Sequence, residues 1–113
     1  MTDIDTYVRQ LAQTRKDLEG FDPDAWNAFS SLVKTTSKRG ALPEKVKEII
    51  MVALGVADHC QFCIGVHTKK AIEAGATRQE IMEGAMMAIP MGGGPSMAFM
   101  RHVIDACDEY GAR

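Results

Sequence analysis

Apolar side chains recur at helical spacing from the start of this chain. Ile4, Tyr7, Val8, Leu11 and Leu18 share one side of a helix, for which Gly20 is the expected stop. Asp22-Pro23 supplies an N-cap followed by proline at the first helical position. The next helix is expected to run to about Arg39, with Trp26, Phe29, Leu32 and Val33 on one face and Gly40 as its C′ residue. Pro43 opens a third helix, to about Asp58. From Ile49 to Ala57 this helix has no polar side chain, so it is expected to be apolar all round and central to the core.

A fourth helix begins near Cys60 and ends at Ala74, before Gly75. Thr77-Arg78-Gln79-Glu80 is a capping box, so a fifth helix starts there and is expected to end near Pro90. Gly92-Gly93-Gly94-Pro95 reads as a loop or sharp break before a sixth helix that ends near Tyr110. The glycine run lacks the preceding strand and the following Lys-Ser/Thr of a phosphate loop, so a hinge between close-packed helices is the better reading. No stretch alternates with period two. The expectation is an all-α fold of about six helices in a single domain spanning residues 1–113.

Composition narrows the function. A net charge of −2, with basic residues scattered, gives no field for nucleic acid. The N-terminus MTDIDTYVRQ is polar and lacks a signal-peptide pattern, and the longest apolar run falls far short of the ~20 residues that span a bilayer. A cytoplasmic protein is expected. Three cysteines is an odd count, so in a reducing compartment a C-x-x-C is a metal clip or a redox pair rather than part of a disulfide scaffold. Eight methionines suggest gap-filling between helices, or else an adaptive methionine-lined surface.

The chemistry concentrates between Glu48 and His67. Cys60 and Cys63 form the C-x-x-C, and His67 lies four residues beyond Cys63 on the same helix face. A cysteine at the helix start is favoured as thiolate, and an imidazole at i+4 can take a thiol proton. Glu48 sits at the edge of the apolar run, where either a surface charge beside Lys45 and Lys47 or a partly buried acid fits. Zinc is the rival use of Cys60, Cys63 and His67, with His59 or Glu48 as a fourth ligand, but no second ligand pair exists to complete a structural site. Cys107 is expected to be an inert buried thiol, His59 a polar linker residue and His102 a surface residue.

The pattern E-x11-C-x-x-C-x3-H, as Glu48, Cys60, Cys63 and His67, resembles the alkylhydroperoxidase D-like branch of the carboxymuconolactone decarboxylase superfamily. The segment from Lys69 to Ile81 adds to that resemblance, which covers roughly residues 42–88. It implies an all-helical fold assembled as a homo-oligomer, a trimer or hexamer. It also implies a thiol-dependent antioxidant oxidoreductase, a peroxidase or a disulfide reductase serving a peroxiredoxin-type partner.

By that resemblance, Glu48 and His67 relay the proton from Cys63, often through water, and Cys60 closes the disulfide. Spacing alone favours Cys60, nearer the helix start, as the more acidic thiol. The substrate would be a hydroperoxide or a partner's disulfide, the reductant an external dithiol, and no metal, haem or flavin cofactor is required. The alternatives are a non-redox lyase such as a carboxymuconolactone decarboxylase, against which the C-x-x-C argues, and a zinc-binding structural site. Gln61-Phe62 stands between the cysteines, where relatives can carry a histidine.

Overall fold

The computed structural model describes residues 3–113; Met1 and Thr2, which open the polar N-terminal stretch, lie outside them. Six helices follow in order: α1 (Ile4–Phe21), α2 (Pro23–Ser37), α3 (Glu44–Ala57), α4 (Gln61–Glu73), α5 (Arg78–Ala85) and α6 (Ala88–Glu109). No strand occurs among the described residues, so the all-α expectation holds. None of these helices is long and apolar enough to cross a membrane.

Several boundaries differ from the sequence reading, each for a local reason. Gly20 does not stop α1. The helix continues to Phe21 and ends at Asp22, whose N–H reaches Leu18 O at 2.9 Å while its carboxylate caps α2 by accepting from Ala25 N at 3.1 Å. The α2 helix stops at Ser37 rather than Arg39, and Gly40 is not its C′ residue. Its last carbonyls are taken by the Lys47 ammonium of α3, at 3.0 Å from Thr36 O and 2.6 Å from Lys38 O. A distant lysine thus supplies what a C′ glycine motif would have supplied.

Pro90 falls within the first turn of α6, where its missing N–H leaves no helical bond unmade, so α5 ends earlier, at Ala85. The expected glycine-run break is a single residue. Gly93, at φ 68° and ψ −147°, interrupts α6 in a conformation that side-chain-bearing residues avoid. The capping box of α5 forms as read, with Thr77 Oγ1 accepting from Glu80 N and Glu80 accepting from Thr77 N.

The α3 helix packs against α2, α4, α5 and α6. Val52 and Val56 are fully buried against Ile64 of α4, Ile81 of α5 and Val103 of α6, and side chains of this size contribute about 1.5–3 kcal/mol each on burial. The helix is nonetheless not covered all round, because Ile50, Met51 and Leu54 are exposed on its far side. Leu18, Phe21, Phe29 and Leu32 of α1 and α2 are exposed too, and α2 has no buried residue. The methionines divide: Met100 is buried and Met82 packs on the core, whereas Met86, Met87, Met91 and Met97 are exposed. Gap-filling therefore accounts for only some of them. The chain ends are joined where Glu109 accepts from Ile4 N and Asp5 N, at 3.0 and 3.2 Å, and Tyr110 donates to Asp5 at 2.6 Å.

Candidate active site

The site grows from the turn between α3 and α4. Cys60 N–H reaches Gly55 O at 2.9 Å and His59 N–H reaches Val56 O at 3.2 Å, the paired bonds that close a helix with one left-handed residue. That residue is His59, at φ 54°. The chain then re-enters a helix at once, with Cys60 as N-cap of α4 and its Sγ accepting from Cys63 N at 3.2 Å. A sulfur in the capping position takes one of the N–H groups that every helix start leaves unpaired. Both cysteines are half-buried free thiols.

Gly55 lets this turn lie close to α3. A Cβ there would meet Ile64 N at 3.2 Å and Cys63 Cβ at 3.3 Å. Burial, followed by the hydrogen bond and charge of Cys60, pushes the Cys63 thiol up to about 12. Its sulfur is therefore held as thiol at neutral pH unless a base removes the proton.

One turn further along α4, His67 is buried, and its Nδ1 lies 2.6 Å from Glu48 Oε2. Of the two readings open for Glu48, the structure selects the buried one. Its neighbours turn away, Lys45 to Glu80 at 2.9 Å and Lys47 to the end of α2. Glu48 also borders a cleft of about 250 Å³ with Lys34, Ser37, Lys38 and Glu44, so the buried pair has a polar opening on the side of α2.

The four predicted residues thus form two linked pairs, Glu48 with His67 and Cys60 with Cys63. Among the described residues no hydrogen bond joins a thiol to the imidazole. With Nδ1 turned to Glu48, Nε2 is the ring nitrogen left for another partner. No three His, Cys, Asp or Glu side chains among the described residues are grouped to hold a metal ion. Cys107 is buried and burial raises its thiol, as expected.

Sequence reasoning missed the rings around the motif. Phe62 meets Tyr7 edge-on at 5.3 Å, and His59 lies tilted on Phe99 at 4.9 Å. His102, expected at the surface, is half-buried between Phe99 at 5.2 Å and Tyr7 at 6.3 Å. Helical phasing places residues on faces of their own helix and carries no information on ring contacts across α1, α4 and α6. Gly55 was detectable as a glycine inside an otherwise apolar helical run.

The fold and site together define a small all-α protein with a dithiol at a helix start and a buried carboxylate–imidazole pair one turn away. The chain belongs to the carboxymuconolactone decarboxylase family, whose profile matches residues 23–106. It is similar to an uncharacterized protein of Cupriavidus necator, 33% identical over 111 residues and covering 98% of each chain. It is also similar to uncharacterized protein 4 in the cox locus of Paracoccus denitrificans, 35% identical over 83 residues, covering 74% of this chain and 75% of that one. Among solved structures, the crystal structure of an apo carboxymuconolactone decarboxylase family protein from Legionella pneumophila superposes with a TM-score of 0.90 at 34% identity. That match covers 95% of this chain and 96% of the other. The superfamily includes both alkylhydroperoxidase D-like peroxidases and decarboxylases.

Proposed function

We propose that the protein is a dithiol oxidoreductase of the alkylhydroperoxidase D-like kind, acting on a hydroperoxide or on a partner's disulfide. The observation that carries this reading is the stacking on α4 of Cys60 and Cys63 with a buried His67 held by Glu48. With Glu48 as carboxylate, Nδ1–H donates to it and Nε2 keeps its lone pair. Nε2, through a water, takes the Cys63 proton that the local environment otherwise retains.

In the peroxide reaction the Cys63 thiolate attacks one peroxide oxygen and the O–O bond breaks. The alkoxide leaves with the proton held by His67, and Cys63 becomes a sulfenic acid. The Cys60 thiol then attacks that sulfur, the S–S bond forms, and water departs. With a disulfide substrate the same thiolate forms a mixed disulfide that Cys60 resolves, releasing the partner as dithiol. An external dithiol returns two electrons and two protons. No metal or organic cofactor enters these steps, and a reducing cytoplasm suits the resting dithiol.

The exposed apolar faces of α1, α2 and α3 support a homo-oligomer, a trimer or hexamer, which would cover them. A lyase reading is disfavoured because it leaves the cysteines at the helix start without a task.

Trapping with dimedone after peroxide tests the assignment. In Cys60→Ser a sulfenic acid accumulates on Cys63, while Cys63→Ser shows none on Cys60, and both variants lose peroxide-dependent dithiol consumption. Wild-type turnover in either variant would refute the reading.

A further inference from the structure

Three helices of this chain close in the same way. At the end of α4, Ala76 N–H reaches Ala71 O at 2.9 Å and Gly75 N–H reaches Ile72 O at 3.0 Å. At the end of α6, Ala112 N–H reaches Cys107 O at 2.8 Å and Gly111 N–H reaches Asp108 O at 3.4 Å. At the end of α3 the corresponding donors are Cys60 and His59. The left-handed residue is glycine in two cases, Gly75 at φ 97° and Gly111 at φ 71°, and histidine in the third, at φ 54°. Glycine occupies this conformation without the Cβ conflict that a side chain brings. The chain therefore accepts backbone strain at the one such turn that leads directly into the C-x-x-C. Strain kept at a single position points to a use for the side chain kept there.

The ring contacts supply that use. His59 lies on Phe99, Phe99 meets His102, His102 meets Tyr7, and Tyr7 meets Phe62. This chain of rings begins at the residue before Cys60 and ends at the residue before Cys63. It ties both to α6 and α1, elements outside the α3–α4 turn. His59 is exposed, so core burial does not require a side chain here.

We propose that His59 is a positioning residue, anchored by its ring on Phe99, that holds Cys60 in the capping position where its sulfur accepts the Cys63 N–H. The inference builds on the proposed dithiol function. An N–H donated to sulfur is stronger when the sulfur is a thiolate, so loosening the anchor weakens the form of Cys60 that reacts with electrophiles. His59→Gly removes the ring while keeping, and easing, the backbone conformation. Phe99→Leu removes the other ring without touching the turn. His59→Phe keeps a ring on Phe99.

The test is the rate of Cys60 alkylation by iodoacetamide at neutral pH, followed by peptide mass spectrometry in Cys63→Ser protein, with melting temperature recorded alongside. His59→Gly and Phe99→Leu should each slow Cys60 alkylation by about fivefold, the size of one N-terminal capping interaction. His59→Gly should melt no lower than its parent, and His59→Phe should restore the parental rate. An unchanged or faster rate in His59→Gly, a parental rate in Phe99→Leu, or failure of His59→Phe to rescue would overturn the proposal. Alkylation needs no turnover, so a protein inactive toward both hydroperoxides and disulfide substrates would refute the proposed function while leaving this result readable.

Discussion

Removing the Glu48 carboxylate tests the buried pair on which the site rests. Glu48→Ala leaves the His67 imidazole buried without the partner now 2.6 Å away. Leaving the buried Nδ1–H of a neutral imidazole without its acceptor costs about 1–3 kcal/mol. At roughly 4 °C per kcal/mol for a domain of this size, the melting temperature should fall by about 4–12 °C. Glu48→Gln is milder, because its amide oxygen can still accept from Nδ1–H; losing only the charge assistance costs about 1 kcal/mol. His67→Ala and the double alanine variant complete a cycle, read by urea denaturation at fixed protomer concentration, since assembly would contribute to stability. The double variant should be about 2 kcal/mol more stable than the sum of the single losses predicts. Additivity within about 0.5 kcal/mol would show that the two residues do not act as a pair. If the pair is also the base for Cys63, Glu48→Gln should slow dithiol oxidation by about 10²-fold or more while remaining folded.

Further outcomes follow from the thiols and their packing. Because the Cys63 thiol is pushed up to about 12 in the fold, its stabilising contribution is fully present below the ordinary thiol range. It is lost as pH rises through about 12. Urea midpoints should therefore fall above about pH 9, and Cys63→Ser should flatten part of that slope; an unchanged slope would contradict the burial argument. Gly55→Ala would press a methyl group on Cys63 Cβ and Ile64 N. It should destabilise by about 1–3 kcal/mol and slow disulfide closure, both measurable on one preparation, and a variant indistinguishable from wild type would refute the close-approach argument.

The sequence was most legible where structure is set locally. The Thr77–Glu80 capping box and the stop at Gly75 lie within a few residues of the backbone groups they satisfy, so residue type alone locates them. The end of α2 was not legible, because its last carbonyls are bonded by Lys47, which lies beyond the following loop. Pro90 was misread as a terminator since the first turn of a helix tolerates proline as readily as the position after its end. In the site, the C-x-x-C placed Cys60 at a helix start without help. The partnership of Glu48 and His67 spans 19 residues and two helices, and phasing left Glu48 undecided between surface and interior; its place at the edge of the apolar run made burial plausible, and the family resemblance added the relay role. Helix phasing placed His67 on the face of the cysteines but carried nothing about the orientation of its ring, which turns Nδ1 to Glu48.

The central claim is that Cys60 and Cys63 are one redox pair served by Glu48 and His67. Its most direct test is mass spectrometry of fully reduced protein given one equivalent of hydroperoxide. The expected result is a loss of about 2 Da confined to the peptide containing Cys60 and Cys63, reversed by dithiol, with Cys107 untouched and the loss slowed in Glu48→Gln. A gain of oxygen without disulfide formation, or a Cys60–Cys63 disulfide forming at the same rate in Glu48→Gln, would contradict it.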